Sequence, residues 1–178
     1  SEKIGTEPSG WFEGARLNFA ENLLAQGNDE NEALCFIGEN GSTSSLSYEE
    51  LRNAVAQCAS GLKSLGVSKN DRVAAVVPNC PEAVIGMLAT ASLGAIWSSC
   101  SPDFGINGIN DRLGQISPKI LITVNAYHYN GKEHDCLLKI REIVSRIPSI
   151  ELVFIVPFTE TTIKFQGNEQ AWAKILNS

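Results

Sequence analysis

Between Trp97 and Gly105 the chain gathers several reactive side chains in one short stretch, Trp97-Ser98-Ser99-Cys100-Ser101-Pro102-Asp103-Phe104-Gly105. Pro102 and Gly105 bracket Asp103 and Phe104, a composition that forces a specific turn. A helix opening after Gly105 would offer orphan backbone amides to a phosphate, and Arg112, farther along it, would add a fixed positive charge. Asp103 opposes an anion if it faces the same way. The structural alternative is that Asp103 caps the helix, Phe104 packs beneath it and Arg112 is solvated or pairs with Asp111 or Glu82.

A second distinctive turn, Pro78-Asn79-Cys80-Pro81-Glu82, lies upstream. Cys80 and Cys100 would each need a neighbouring base to act as thiolate nucleophiles, and small buried thiols are the stronger reading. His128, His134, Asp135 and Cys136 are all metal-ligand types, but their spacing matches no standard zinc signature, and Tyr127 and Tyr129 suggest a loop with packing aromatics. No G-x-G-x-x-G follows a strand, and neither GVSKNDR nor NGKEH is a phosphate-binding P-loop. Metal is not expected. Asn40-Gly41-Ser42 has the form of a glycosylation acceptor but reads as a turn.

Positioning these turns is the task of the surrounding elements. Short, nearly continuous apolar runs, DRVAAVV, AIWSSC, KILITV and ELVFIV, alternate with helical segments such as PNCPEAVIGMLATASLG, GINGINDRLGQIS and HDCLLKIREIVSRI. That order predicts an α/β fold with a mostly parallel sheet covered by helices on both faces. Right-handed crossovers bring the strand ends at Val77, Cys100 and Val124 to one edge, so the turns at 78–82 and 101–105 should meet there, where open sheets bind ligands. Upstream, ALCFI and STSSLS around Glu39-Asn40-Gly41 predict a short strand pair. Ser47 with Glu50 has capping-box spacing, and Leu51, Val55, Cys58, Leu62 and Leu65 form one buried helix face that ends at Gly66. A short strand near Phe165 and a helical turn carrying Trp172, Ile175 and Leu176 close the chain.

The composition allows a single folded domain. The 178 residues are 43% hydrophobic and 19% charged, which excludes a disordered chain. Fourteen Lys and Arg stand against 20 Asp and Glu, a net charge of -6 without long blocks of either sign; no general attraction to nucleic acid or to an anionic membrane follows. Five widely spaced cysteines suit a reducing compartment, the cytosol, better than a disulfide framework. No apolar run approaches the roughly 18 residues of a membrane span, and SEKIGTEPSG is not a signal peptide.

WFEGARLNFAENLL (11–24), DRVAAVVPNCPEAVIGMLATASLGAIWSSCSPDFGINGINDRLGQISPK (71–119) and YNGKEH (129–134) resemble the N-terminal part of the adenylate-forming acyl-CoA synthetase superfamily. Trp11-Phe12, Leu17-Asn18 and the whole run from Trp97 to Gly105 resemble its acetoacetate branch. Asn70-Asp71 departs from the Gly-Asp of the wider pattern, a change of turn. The resemblance implies an incomplete, N-terminal part of a larger adenylate-forming fold: residues 1–32 as a helical or extended segment and 33–178 as an α/β subdomain. It implies an ATP-dependent, Mg²⁺-dependent acid–thiol ligase that joins acetoacetate to CoA through an acyl-adenylate, with this portion inactive alone. Its partners would be these small molecules, without nucleic acid or membrane insertion. Asp103, Phe104 and Gly105 would approach CoA, and Arg112 its 3′-phosphate; no catalytic residue and no metal ligand is implied here. The alternative reading is a non-catalytic interaction or structural module with the same fold.

Overall fold

The structure is a computed structural model describing residues 14–177; Trp11 and Phe12 lie outside the described residues. Its first elements are a short helix α1 (Phe19–Leu24), strands β1 (Glu32–Ile37) and β2 (Thr43–Ser47), and the long helix α2 (Tyr48–Ser64). β1 and β2 pair antiparallel as a small sheet of their own. The expected capping box starts α2: Ser47 Oγ accepts from Glu50 N at 3.2 Å, and Glu50 Oε2 accepts from Ser47 N at 2.8 Å. The helix ends where expected, at Gly66 with φ 76°.

The main sheet contains β3 (Arg72–Val76), β4 (Ile96–Cys100), β5 (Ile120–Val124), β8 (Leu152–Val156) and β9 (Glu169–Ala171). It is parallel throughout and ordered β4-β3-β5-β8-β9. Helices α3 (Pro81–Ser92), α4 (Ile106–Leu113), α5 (Leu137–Arg146) and α6 (Trp172–Leu176) complete the fold. The chain steps one way from β3 to β4 and the other way from β4 to β5. Right-handed crossovers then put α3 and α4 on opposite faces. The packing agrees: α1, α2, α3 and α6 form one layer, while α4 and α5 contact each other. The winding thus changes direction between the parallel strands β3 and β5, the topological switch point at which open sheets hold ligands.

Two elements differ from the sequence expectation. The supposed loop after β5 is a hairpin, β6 (Ala126–Tyr129) and β7 (Lys132–Asp135), turning through Asn130 and Gly131, both at positive φ. Positive φ at two central residues is the geometry that Asn-Gly supplies for tight hairpins. The late strand lies at Glu169–Ala171, not at Phe165, which is exposed. An ion pair anchors β9. Arg141 donates from Nε to Glu169 Oε1 at 2.7 Å and from Nη2 to Oε2 at 3.0 Å, and Gln166 N donates to Oε2 at 2.8 Å.

Asn18 shows why a polar residue belongs between Leu17 and Phe19. Its Oδ1 accepts from the amides of Ala20 and Glu21, opening α1, while its Nδ2 donates to the carbonyls of Ala91 and Ser92, closing α3. One side chain therefore serves two helix ends and joins them.

Helix α6 lies directly on α2. A Cβ at Gly61 would sit 1.8 Å from the Ile175 carbonyl oxygen, a collision with backbone that no rotamer relieves. Gly61→Ala should therefore destabilise the chain by about 1–3 kcal/mol, although alanine is the better helix former by about 1 kcal/mol. A urea midpoint equal to or above that of the parent would refute the backbone contact.

Candidate functional site

The carboxyl ends of β3, β4, β5 and β8 open into a cleft of about 660 Å³. Its walls include Pro78, Asn79, Pro81 and Glu82 from one expected turn and Ser101, Pro102 and Asp103 from the other. The two turns share one sheet edge, as the strand order required. The hairpin β6–β7 contributes Tyr127, His128 and Tyr129, and the β1–β2 pair covers the far side with Phe36, Gly38 and Asn40.

Buried polar groups hold the wall beside β8. Asn125 has no exposed surface; its Oδ1 accepts from the amides of Phe158 and Thr159, and its Nδ2 donates to the carbonyls of Thr159 and Thr161. All its capacity is thus spent on one loop, which is how a buried amide avoids a desolvation penalty. Phe158, fixed by that loop, meets Phe36 edge to face at 6.0 Å and so supports the β1–β2 pair.

Asp103 stands at the cleft, but it does not cap α4. Gly105 is the N-cap residue and no side chain caps that helix. The Asp103 carboxylate instead accepts from Ser101 Oγ at 2.8 Å, and its charge acts on the Tyr127 phenol across the cleft wall. Burial, followed by the interaction with Asp103, pushes the Tyr127 phenol up to about 12. Tyr127 is therefore neutral at any physiological pH.

Phe104, Gly105 and Arg112 lie on the other side of the turn and do not line the cleft. Phe104 is not packed underneath the helix. It is 39% exposed, and the Arg112 guanidinium covers its ring with Cζ 4.1 Å from the centroid. Arg112 Nη1 also donates to Gly108 O at 3.0 Å within its own helix. Among the described residues it makes no ion pair, with Asp111, Glu82 or any other carboxylate. The turn thus separates two electrostatic environments. The cleft side carries Glu39, Glu82 and Asp103; the outer side offers a guanidinium and the uncapped start of α4, with open space where a Gly105 side chain would be. An anion fits the outer side.

Lys139, which no sequence motif marks, reaches this turn from the first turn of α5. Its ammonium donates to the carbonyl of Pro102 and, at 3.4 Å, to that of Phe104.

The cysteines near the edge are ill suited to nucleophilic work. Burial, then the nearby Glu82 charge, pushes Cys80 up to about 12. Burial also raises Cys100, against the opposing pull of Arg112 and Lys139. Neither supplies thiolate at neutral pH. The residues that resembled metal ligands are separately engaged. His134 stacks on Tyr127 at 5.3 Å, His128 Nε2 lies 3.7 Å from Glu133 Oε2, Asp135 accepts from Leu137 N at 2.9 Å, and Cys136 is buried. Among the described residues no group of three His, Cys, Asp or Glu side chains is placed to hold a metal ion.

Comparison with known proteins follows the same architecture. The chain is 44% identical over 156 residues to acetoacetyl-CoA synthetase of Macaca fascicularis and 47% identical over 148 residues to acetoacetyl-coenzyme A synthetase of Rhizobium meliloti (strain 1021), covering 86% and 83% of this chain. Malonamoyl-CoA synthetase of Penicillium aethiopicum is 46% identical over 151 residues, covering 82% of this chain and 21% of that protein. The chain spans about a quarter of the length of the curated relatives it matches, 23% and 22% for the first two. The solved structure of acetoacetyl-CoA synthetase from Streptomyces lividans superposes with a TM-score of 0.88 at 36% identity, over 97% of this chain and 27% of that one. The family described as AMP-binding enzyme matches residues 23–175, from the short first helix through the parallel sheet to the last helix: the chain belongs to the AMP-binding enzyme family.

Proposed function

We propose that the protein containing this chain is an acid–thiol ligase, acetoacetate + ATP + CoA → acetoacetyl-CoA + AMP + pyrophosphate, acting through an acyl-adenylate. The observation that carries this reading is identity of 44–47% over most of the chain to synthetases named for acetoacetyl-CoA in an animal and a bacterium. The fungal relative named for malonamoyl-CoA supports the same acid class: acetoacetate and malonamate are short carboxylates of nearly equal size with a carbonyl on the third carbon. Activation as an adenylate replaces an oxygen that leaves poorly with AMP, and it needs cations to offset charge on the phosphoryl oxygens. Nothing among the described residues is assigned to ATP, Mg²⁺ or the acid, which fall to the remainder of the protein. Five cysteines, all free, suit an enzyme of the reducing cytosol.

This portion is proposed to meet CoA on the outer side of the 101–105 turn. Asp103 shapes the turn from the cleft side, Phe104 and Gly105 form its surface, and Arg112 takes the 3′-phosphate. The support is physical. The guanidinium is exposed and, among the described residues, pairs with no carboxylate; one of its donors is used internally, and the adjacent helix start is uncapped.

The whole protein should show acetoacetate-dependent exchange of pyrophosphate into ATP without CoA, and thioester formation once CoA is added. Faster exchange with acetate than with either acetoacetate or malonamate would sink the assigned acid class. Arg112→Ala should weaken the CoA-dependent half-reaction by roughly 1.5–3 kcal/mol, the worth of a hydrogen bond to a charged group, with pyrophosphate exchange nearly unchanged. Equal losses in both half-reactions with a lower melting temperature would instead make Arg112 a purely structural partner of Phe104.

A further inference from the structure

We infer that Lys139 and Tyr127 are positioning residues that grip the 101–105 turn from two sides and thereby fix where Phe104 and Arg112 stand. The inference rests on the proposed CoA contact of that turn. On one side, the Lys139 ammonium donates to the carbonyls of Pro102 and Phe104, the neighbours of Asp103 on either side. On the other, the Tyr127 phenol shares the cleft wall with the Asp103 carboxylate, whose charge acts on it and which accepts from Ser101 Oγ at 2.8 Å. Lys139 Nζ lies 6.0 Å from the centroid of the Tyr127 ring, so the two side chains meet beside the turn.

The placement of Lys139 is not explained by its own helix. It sits in the first turn of α5 (Leu137–Arg146), which has no acidic residue there. A cation at a helix N-terminus opposes the helix dipole. Two carbonyls from the turn after β4 give the ammonium the acceptors that position requires. Tyr127 is similarly committed. It is 8% exposed and packs beside Asp103 in the cleft wall. With the carbonyls of 102 and 104 drawn toward α5 and the carboxylate of 103 drawn toward β6, the Phe104 ring remains on the outer side, where Arg112 lies over it at 4.1 Å. Loosening either grip lets that pair drift while the strands beneath, already buried, stay in place. Lys139 also adds positive charge behind the turn, since both it and Arg112 act on the Cys100 thiol.

The test uses the whole enzyme and compares CoA with dephospho-CoA, which lacks the 3′-phosphate. In the parent, KM for CoA should be well below KM for dephospho-CoA. Lys139→Gln and Tyr127→Phe should each raise KM for CoA, roughly tenfold for Lys139→Gln, and should shrink the preference for CoA over dephospho-CoA. Pyrophosphate exchange in the absence of CoA should stay within about twofold. Adding Arg112→Ala to either variant should cost less than it does in the parent, because residues acting through one another are not additive. Tyr127→Phe removes one oxygen without changing shape, so it carries the test if Lys139→Gln does not fold. An unchanged CoA preference in a folded variant overturns the inference, as does an equal loss of exchange and thioester formation. Failure of the parent to form acetoacetyl-adenylate, or an unchanged CoA affinity in Arg112→Ala, would refute the proposed function or CoA site and leaves a readout different from either.

Discussion

Strands β3 and β5 have no wet face: Val73 to Val76, and Ile120 to Val124, are closed off from water on both sides. Their backbones can satisfy themselves only through neighbouring strands, and their side chains only through a layer of helices above and below. That two-sided burial compels long crossover connections, and these bring every strand of the sheet out at the same edge. Chemistry-bearing turns then gather there because nowhere else is open to them. The cleft is what the sheet leaves uncovered at the point where the winding changes direction.

Polar contacts, fewer in number, determine the shape of that opening. Asn125 spends its side-chain amide on the loop after β8, and the buried Thr123 donates to the Val76 carbonyl at 3.1 Å. These groups lie where apolar packing alone would leave a loop free to choose among several arrangements. A satisfied buried amide removes that choice. The same economy appears at Asn18, between two helix ends, and at Arg72, whose guanidinium reaches the carbonyls of Ile116 and Ser117 below the other end of the sheet. Polar side chains in this protein fix backbone more than they fix one another.

What the sequence disclosed follows the range of the forces involved. The α2 start at Ser47 and Glu50 was legible because a capping box is complete within four residues, and the parallel sheet because apolar runs and helical periods alternate over most of the chain. The β6–β7 hairpin carried a local signal too, Asn130-Gly131, but Tyr127, His128 and His134 drew attention as packing or ligand residues rather than as cross-strand partners. The last strand was misplaced at Phe165. The pairing at Glu169 depends on Arg141, an element away, and no aromatic residue advertises it. At the site, Asp103, Phe104, Gly105 and Arg112 stood out by type and spacing, whereas the side of the turn each would occupy was not written in either. Lys139 left no trace at all, because its partners at Pro102 and Phe104 are distant in sequence and are backbone atoms.

The contact between Gly61 and Ile175 joins the first long helix to the last one. A ribosome adding about 5–20 residues per second delivers α6 on the order of ten seconds after α2. Through that interval the α2 surface at Gly61 lacks the cover that α6 gives it in the folded chain. Because α6 follows β9 without a linker, seating the helix is coupled to pairing of β9 with β8. Among the described residues, one of the earliest stretches of helix is thus covered by one made much later.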